Sequence, residues 1–212
     1  MQKQKTIYHL ILDKSGSMSD CIEQTISGFN EQIEKIRKLE KDYPEQELSI
    51  GLTTFNDYVV DHFFMRSPES VKKINSEIYR PSGSTALLDA IGLTIKKIEK
   101  EIQHYQNECN TTVVFVILTD GYENASKLFK LEDIRSAIQR LEGTEKWTFS
   151  FIGATLDAVD VAASMSIKRQ NSFMFDKSNM TNMVFSNLSA SMEEYMLKKR
   201  EGRSLRDLFS KK

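Results

Sequence analysis

The chain alternates short apolar runs with longer segments whose apolar residues recur every three or four positions, and this alternation is the strongest constraint on its fold. The apolar runs predict six strands, at 6–12, 48–55, 58–64, 111–118, 147–152 and 172–175. The segments between them have helical spacing, at 22–36, 87–105, 131–141, 156–165 and 180–195. Strands that alternate with helices in this way form βαβ units, which build a parallel sheet with helices on both faces.

The second and third predicted strands break this parallel pattern. The pair Asn56-Asp57 separates them, and a short turn of this kind joins antiparallel strands in a hairpin. We therefore predict an α/β, doubly wound, Rossmann-like fold, with a mostly parallel six-stranded sheet, one antiparallel edge strand and helices on both faces. This domain is expected to span residues 1–197.

Residues 198–212 differ in composition from the rest of the chain. They hold seven basic residues against two acidic ones, and Leu205, Leu208 and Phe209 lie at helical spacing among them. This basic C-terminal tail is interpreted either as a docking helix for a partner or as a solvated end of the chain.

Composition argues against several classes of partner. The 29 basic and 30 acidic residues give a formal net charge of −1, which creates no overall field toward nucleic acid or anionic lipid. The longest strictly apolar run, 113–118, is far shorter than the ~20 residues that a membrane helix needs. The apolar stretch near the N-terminus is interrupted by His9 and ends at Asp13, which is too short for a signal peptide. We expect a cytoplasmic protein with neither a nucleic-acid nor a membrane partner.

Polar residues that suit a metal ion stand in three loops of the predicted sheet. Ligands of open α/β sheets bind at the carboxyl ends of the strands, and two of these loops follow the first and fourth apolar strands, while the third precedes the second long helix. Their oxygen-bearing side chains are Asp13, Ser15, Ser17, Thr85 and Asp120. Two carboxylates and three hydroxyls without a neighbouring His or Cys are the donors that Mg²⁺ or Mn²⁺ prefers.

The net charge of such a site predicts which ligand a bound cation would attract. If one carboxylate acts through water, the cation keeps a net positive charge and an exchangeable position. That position would attract an incoming carboxylate, so an Asp or Glu of a partner is expected to complete the shell. Glu123 and Asn124, which follow Asp120 closely, are candidates for the rim of this contact.

The three segments together resemble the metal-ion-dependent adhesion site (MIDAS) of von Willebrand factor type A domains: D-x-S-x-S after the first strand, a Thr before the next long helix, and TDG after the fourth apolar strand. The residues that match positions of that motif are Asp13, Ser15, Ser17, Thr85 and Asp120. The resemblance covers roughly residues 5–197 and is closest to small stand-alone bacterial proteins, including those encoded with tellurite-resistance systems. It implies a protein-binding module that holds Mg²⁺, with Mn²⁺ or Ca²⁺ as alternative ions, and that accepts a carboxylate of a protein partner.

Each site residue also has a local interpretation. Ser15 or Ser17 would serve as an N-cap of the first helix, and Ser84 or Thr85 as an N-cap of the next. Asp120 followed by glycine is an ordinary turn sequence. Only the occurrence of all three segments at the predicted strand ends favours the metal site.

Two other functions stay open. An Asp at the end of a first strand also begins the motif of haloacid-dehalogenase-type phosphatases, but that motif requires a second Asp where this chain has Ser15. A metal-dependent hydrolase would have no proton acceptor except Asp120, so we expect no enzymatic activity. The third interpretation is an adaptor whose metal only stiffens the loops.

Overall fold

A six-stranded sheet forms the centre of the computed structural model, which describes residues 3–104, 109–155, 157–177, 184–203, 205 and 207–209. Its strands are β1 (Lys3–Asp13), β2 (Gln46–Phe55), β3 (Val59–Arg66), β4 (Cys109–Thr119), β5 (Trp147–Gly153) and β6 (Ser172–Met174). They lie in the order β3-β2-β1-β4-β5-β6. Within the described residues every neighbouring pair is parallel except β2 and β3, which are antiparallel at the sheet edge. The predicted fold class is confirmed.

Helices cover both faces of the sheet. They are α1 (Ile22–Asp42), α2 (Leu87–Gln103), α3 (Leu131–Glu142), α4 (Ala158–Ser164) and α5 (Ser186–Arg200). The start predicted for the last helix, near 180, lies outside the described residues. Among the helices that the structure describes, none has the length and hydropathy needed to cross a bilayer.

Successive side chains of β1 point to opposite faces of the sheet, and both faces are buried. Tyr8 and Leu10 point into an apolar cluster shared with α1 and α5, whereas Ile7 and Ile11 point into a second cluster shared with α2, α3 and α4. All four side chains are fully buried. A strand that is buried on both faces needs apolar residues at successive positions, which is why this run carries no polar–apolar alternation.

The position of β1 creates the crevice that a doubly wound sheet uses for ligands. β1 lies between β2 and β4 and is parallel to both, with Leu12 beside Leu118 and Asp13 beside Phe55. The chain leaves β1 toward one side and returns through β4 on the other, so their carboxyl ends form a topological switch point. The loops after β1 and β4 therefore meet at one edge of the sheet.

The described part of the tail packs against the domain. Thr148 of β5 donates its hydroxyl hydrogen to the carbonyl oxygen of Leu205 at 2.7 Å. The amide N–H of Leu208 donates to Asn171 Oδ1 at 2.8 Å, and the Leu208 side chain is buried. Because α5 continues to Arg200, the helix also crosses the predicted boundary between domain and tail.

Candidate metal centre

Asp13 is held in the candidate site by hydrogen bonds to its side chain and to its backbone. It is the last residue of β1 and is fully buried. Its Oδ1 accepts the N–H of Ser15 at 2.6 Å, and its Oδ2 accepts the hydroxyl hydrogen of Thr119 at 2.6 Å. The phenol of Tyr79 donates to its carbonyl oxygen at 2.7 Å. Three hydrogen bonds from three segments therefore hold both the side chain and the backbone of Asp13 in one orientation.

A chain of hydroxyl groups connects the first loop with Asp120, which follows β4. The Oγ atoms of Ser15 and Ser17 lie 3.1 Å apart, and Ser17 Oγ donates to Asp120 Oδ1 at 2.6 Å. The third loop joins them through its backbone, because the N–H of Gly16 donates to the carbonyl oxygen of Gly83 at 3.0 Å. The three loops are thus hydrogen-bonded to one another.

Gly121 reveals how closely the predicted ligands converge. A Cβ built on this glycine would lie 2.9 Å from Thr85 Oγ1, 3.6 Å from Asp13 Oδ2 and 3.6 Å from Ser17 Oγ. Oxygen atoms from three separate segments therefore surround one point beside Gly121, a space that a side chain would fill. Through the hydrogen bonds of Ser17, the structure brings all five sequence-predicted side chains into one cluster.

The loop after Asp120 is tied to the start of α2. Asn124 Oδ1 accepts the N–H of Thr85 at 2.9 Å, while the N–H of Asn124 donates to the Thr85 carbonyl oxygen at 3.1 Å. Glu123 Oε2 accepts the N–H of Leu88 at 2.9 Å. The sequence suggested rim contacts for Glu123 and Asn124, and the structure gives both a role that this reasoning missed, since they hold Thr85 and α2 against the loop.

The hydroxyl groups of the cluster do not serve as helix caps. The residues that precede α1 and α2 are Cys21 and Ala86, and neither makes a side-chain capping bond. Ser15 precedes a short 3₁₀ turn and does not cap it either. The local interpretation of the serines and of Thr85 is therefore wrong, and their hydroxyls are left to the cluster.

Burial affects the protonation of the carboxyl groups in this cluster. Desolvation raises the pKa of Asp13 to about 6, hydrogen bonds from Thr119 and Ser15 oppose that rise, and the charge of Asp120 adds to it. A nearby positive charge favours the ionised form of a buried carboxyl group. A cation at this point would therefore stabilise both carboxylates.

One positive side chain already touches the cluster. The ammonium group of Lys177 forms an ion pair with Asp120 Oδ2 and donates to the carbonyl oxygen of Ser17 at 2.7 Å. Sequence reasoning missed Lys177, because it follows β6, far along the chain from the three motif segments, and no motif marks it.

The donor set fits a hard divalent cation. No group of three or more His, Cys, Asp and Glu occurs in the part of the chain that the structure describes, and the cluster instead combines two carboxylates with three hydroxyls. The nearest soft donor along the first loop, Cys21, is buried, and burial raises the pKa of its thiol. The imidazole of His9 is hydrogen-bonded to Thr53 in the core, with Nε2 2.8 Å from Oγ1. Oxygen-only donors match the preference of Mg²⁺, Mn²⁺ and Ca²⁺.

Comparison with solved structures gives the same fold. The von Willebrand factor type A protein from Catenulispora acidiphila matches with a TM-score of 0.56 and 12% identity, over 90% of this chain and 43% of that chain. Proximal thread matrix protein 1 from the mussel byssus, in a structure with a zinc-occupied MIDAS motif, matches with a TM-score of 0.51 and 15% identity, over 92% and 45%. The manganese-loaded TRAP protein of Plasmodium vivax matches with a TM-score of 0.57 and 15% identity, over 85% and 72%.

The extent of these matches limits what they show. At such identities the similarity shows the fold alone, and the chain spans less than half the length of the first two proteins. A search of curated protein sequences found no match. The profile of the von Willebrand factor type A domain family, however, matches residues 9–190, which is most of the chain. The chain therefore belongs to the von Willebrand factor type A domain family.

Proposed function

We propose that this domain is a metal-ion-dependent protein-binding module without enzymatic activity. The residues that would hold the divalent cation are Asp13, Ser15, Ser17, Thr85 and Asp120. The proposed ion is Mg²⁺, with Mn²⁺ or Ca²⁺ as alternatives, and the proposed partner is a protein that supplies an Asp or Glu carboxylate.

One observation carries this proposal. Oxygen atoms of Thr85, Asp13 and Ser17 surround the point beside Gly121, and the same serine hydroxyl is bonded to Asp120. Convergence of donors from three loops on a shared space is what a ligand site requires. Isolated turns and helix caps would not produce it.

Hydrogen bonds within the chain orient both carboxylates of the proposed site. Thr119 and the N–H of Ser15 orient the Asp13 carboxylate, and the hydroxyl of Ser17 orients that of Asp120. Such outer hydrogen bonds commonly fix the ligands of a metal. When bound, the cation would supply a positive charge with an exchangeable position for a carboxylate of the partner.

Further observations support this proposal. Of the structurally similar proteins, proximal thread matrix protein 1 has zinc in its MIDAS motif, and the TRAP protein is loaded with manganese. A phosphatase mechanism finds less support, because both oxygens of Asp120, the sole candidate base, already face Ser17 and Lys177.

The motif's resemblance to stand-alone bacterial proteins encoded with tellurite-resistance systems supports a cytoplasmic role in such a system as part of the same proposal.

Affinity capture from a native lysate, followed by mass spectrometry, tests the function. It compares the wild type in Mg²⁺, the wild type in EDTA, and Asp13→Asn in Mg²⁺. The matched control is Asp61→Asn, because Asp61 lies in β3 and pairs with Lys97 away from the site. We expect one protein to be recovered by the wild type and by Asp61→Asn in Mg²⁺, and to be lost in the other two samples. Equal recovery in all four would show that partner binding does not depend on the metal.

A further inference from the structure

Lys177 is a positive group in direct contact with the proposed metal site. It lies after β6, and its ammonium group contacts Asp120 Oδ2 and the carbonyl oxygen of Ser17. The Lys177 side chain is 31% exposed, whereas the Asp120 side chain is fully buried. The lysine therefore reaches from the surface to a carboxylate that has no access to water.

This contact satisfies a group that is costly to leave alone. A buried carboxylate without a partner destabilises a fold strongly, and removing one member of a buried ion pair exposes that cost. Asp120 Oδ1 accepts from Ser17, and Oδ2 faces Lys177. Lys177 thus provides the charge that balances Asp120 within the chain.

The same contact opposes a second cation. A divalent ion that uses Asp120 must share its carboxylate with the ammonium group or displace it, and two positive charges a few ångströms apart repel each other in a partly buried site. Lys177 also occupies the backbone oxygen of Ser17, a residue whose side chain is a proposed ligand. The ammonium and the metal therefore compete for one carboxylate.

We propose that Lys177 is an internal counter-ion that competes with the divalent cation for Asp120 and weakens the metal affinity of the site. This inference rests on the proposed metal site. Binding of the cation is then coupled to release of the Lys177 ammonium from Asp120. By linkage, the loss of Lys177 matters most when no divalent cation is bound.

Three variants separate this contact from a general effect of charge. Lys177→Met removes the ammonium and keeps an unbranched apolar stem, whereas Lys177→Arg keeps the positive charge. Lys14→Met is the matched control, because Lys14 follows Asp13 directly but forms no ion pair with either carboxylate in the described structure. The charge of Lys14 acts instead on His62, whose pKa is lowered by burial and then by this lysine.

Isothermal titration calorimetry with MnCl₂ at fixed ionic strength tests the competition. We expect the dissociation constant of Lys177→Met to fall on the order of tenfold below that of the wild type. Lys177→Arg and Lys14→Met are expected to remain within about twofold of the wild type. An equal or higher constant for Lys177→Met, with manganese still bound by the wild type, would overturn the competition and leave the metal site standing. If neither protein bound manganese, the proposed metal site would be wrong and the competition with it.

Thermal unfolding provides a second readout, in which the competition is measured through the stability of the fold rather than through a binding titration. In EDTA, Lys177→Met should unfold at a lower temperature than the wild type, because Asp120 loses its partner. Saturating MnCl₂ should close most of this gap, since the metal then balances the carboxylate. A gap of the same size with and without manganese would show that Lys177 has only a structural role. If Lys177→Met does not fold, Lys177→Arg still tests the inference, because manganese binding tighter than that of the wild type would contradict it.

Discussion

The two ends of the central strands bury opposite charges and use them differently. At the carboxyl ends of β1 and β4, Asp13 and Asp120 lie in a cluster of loop hydroxyls. Near the amino ends of these strands, Lys199 of α5 donates to the carbonyl oxygen of Lys5 at 2.7 Å, to Thr6 Oγ1 at 2.8 Å and to Thr112 Oγ1 at 2.9 Å.

Burial disturbs the titration of both groups, but only Asp13 belongs to the proposed metal site. It raises the pKa of Asp13 to about 6 and lowers that of Lys199 to about 7. The ammonium group of Lys199 donates to three oxygens, two on β1 and one on the adjacent β4, so this contact joins the two strands structurally. The Asp13 carboxylate instead shares a space at Gly121 with the hydroxyls of Ser17 and Thr85. A perturbed pKa alone therefore does not identify a functional site, and the proposal for Asp13 rests instead on the convergence of oxygen donors beside it.

The largest expected effect is the loss of metal binding in Asp13→Asn. The amide keeps an oxygen for the N–H of Ser15 but removes one of the two carboxylate charges, so manganese affinity should fall by about a hundredfold or more. Calorimetry with MnCl₂ measures this, with Asp61→Asn as the control that retains wild-type affinity. Near-normal affinity of Asp13→Asn would exclude this carboxylate as a ligand.

The same variant should not lose stability in EDTA. Because the folded-state pKa of Asp13 is raised, the native state holds more protons between pH 4 and 6, and its stability falls as pH rises through that range. At pH 7 the wild type thus carries an unfavourable buried charge that Asn lacks. Urea unfolding at pH 7 should find the variant equal to the wild type or more stable by about 1 kcal/mol. A clear loss of stability would mean that the hydrogen bonds of Asp13 outweigh its charge.

Lys199→Met should change the pH dependence of stability and leave metal affinity unaltered. With a folded-state pKa of about 7 against 10.5 for the unfolded chain, the unfolded state binds more protons between these values, so the lysine makes stability rise with pH. From pH 7 to 9 this contribution is about 2 kcal/mol, and Lys199→Met should lack it. Urea unfolding at several pH values measures the difference. The control is Lys198→Met, because Lys198 pairs with Glu194 and should keep the wild-type slope.

Gly121→Ala should weaken manganese binding less than Asp13→Asn does. Its methyl group would lie 2.9 Å from Thr85 Oγ1, so the hydroxyl must move, and manganese affinity should fall roughly tenfold. Gly16→Ala is the matched control in the same cluster, since its methyl group would meet only the backbone of Gly83, at an ordinary 3.5 Å. Equal affinities of the two variants would show that the space beside Gly121 is not used.

The sequence predicted the parts of the molecule that depend on local pattern. Apolar runs such as 6–12 and the turn at Asn56-Asp57 were sufficient for the sheet and its antiparallel edge. The proximity of Asp13 and Asp120 also followed, because residues at the carboxyl ends of adjacent parallel strands must meet, whereas Thr85 was placed with them by the resemblance of the motif.

What the sequence did not predict depends on contacts between distant segments. Lys177 and Lys199 are single lysines among 29 basic residues, and only the folded chain places one on Asp120 and the other on Thr6. The bond between Tyr79 and Asp13 likewise joins segments with no shared motif. The helix-cap alternative was locally reasonable, and it failed because α1 and α2 begin one to several residues later than the cap residues require.

The packing of the tail has a consequence for the order in which the molecule is made. Leu208 belongs to the same apolar cluster as Tyr8 of β1, so residues that lie 200 positions apart in the sequence complete one core. The sheet and the five described helices all precede Leu208 in the sequence, so the ribosome synthesises them before this residue. Until Leu208 is available, the site that it fills beside Asn171 is empty in the nascent chain. This half of the core therefore closes only after the sheet and its helices have been synthesised, and the site beside Asn171 is where a chaperone would find apolar surface.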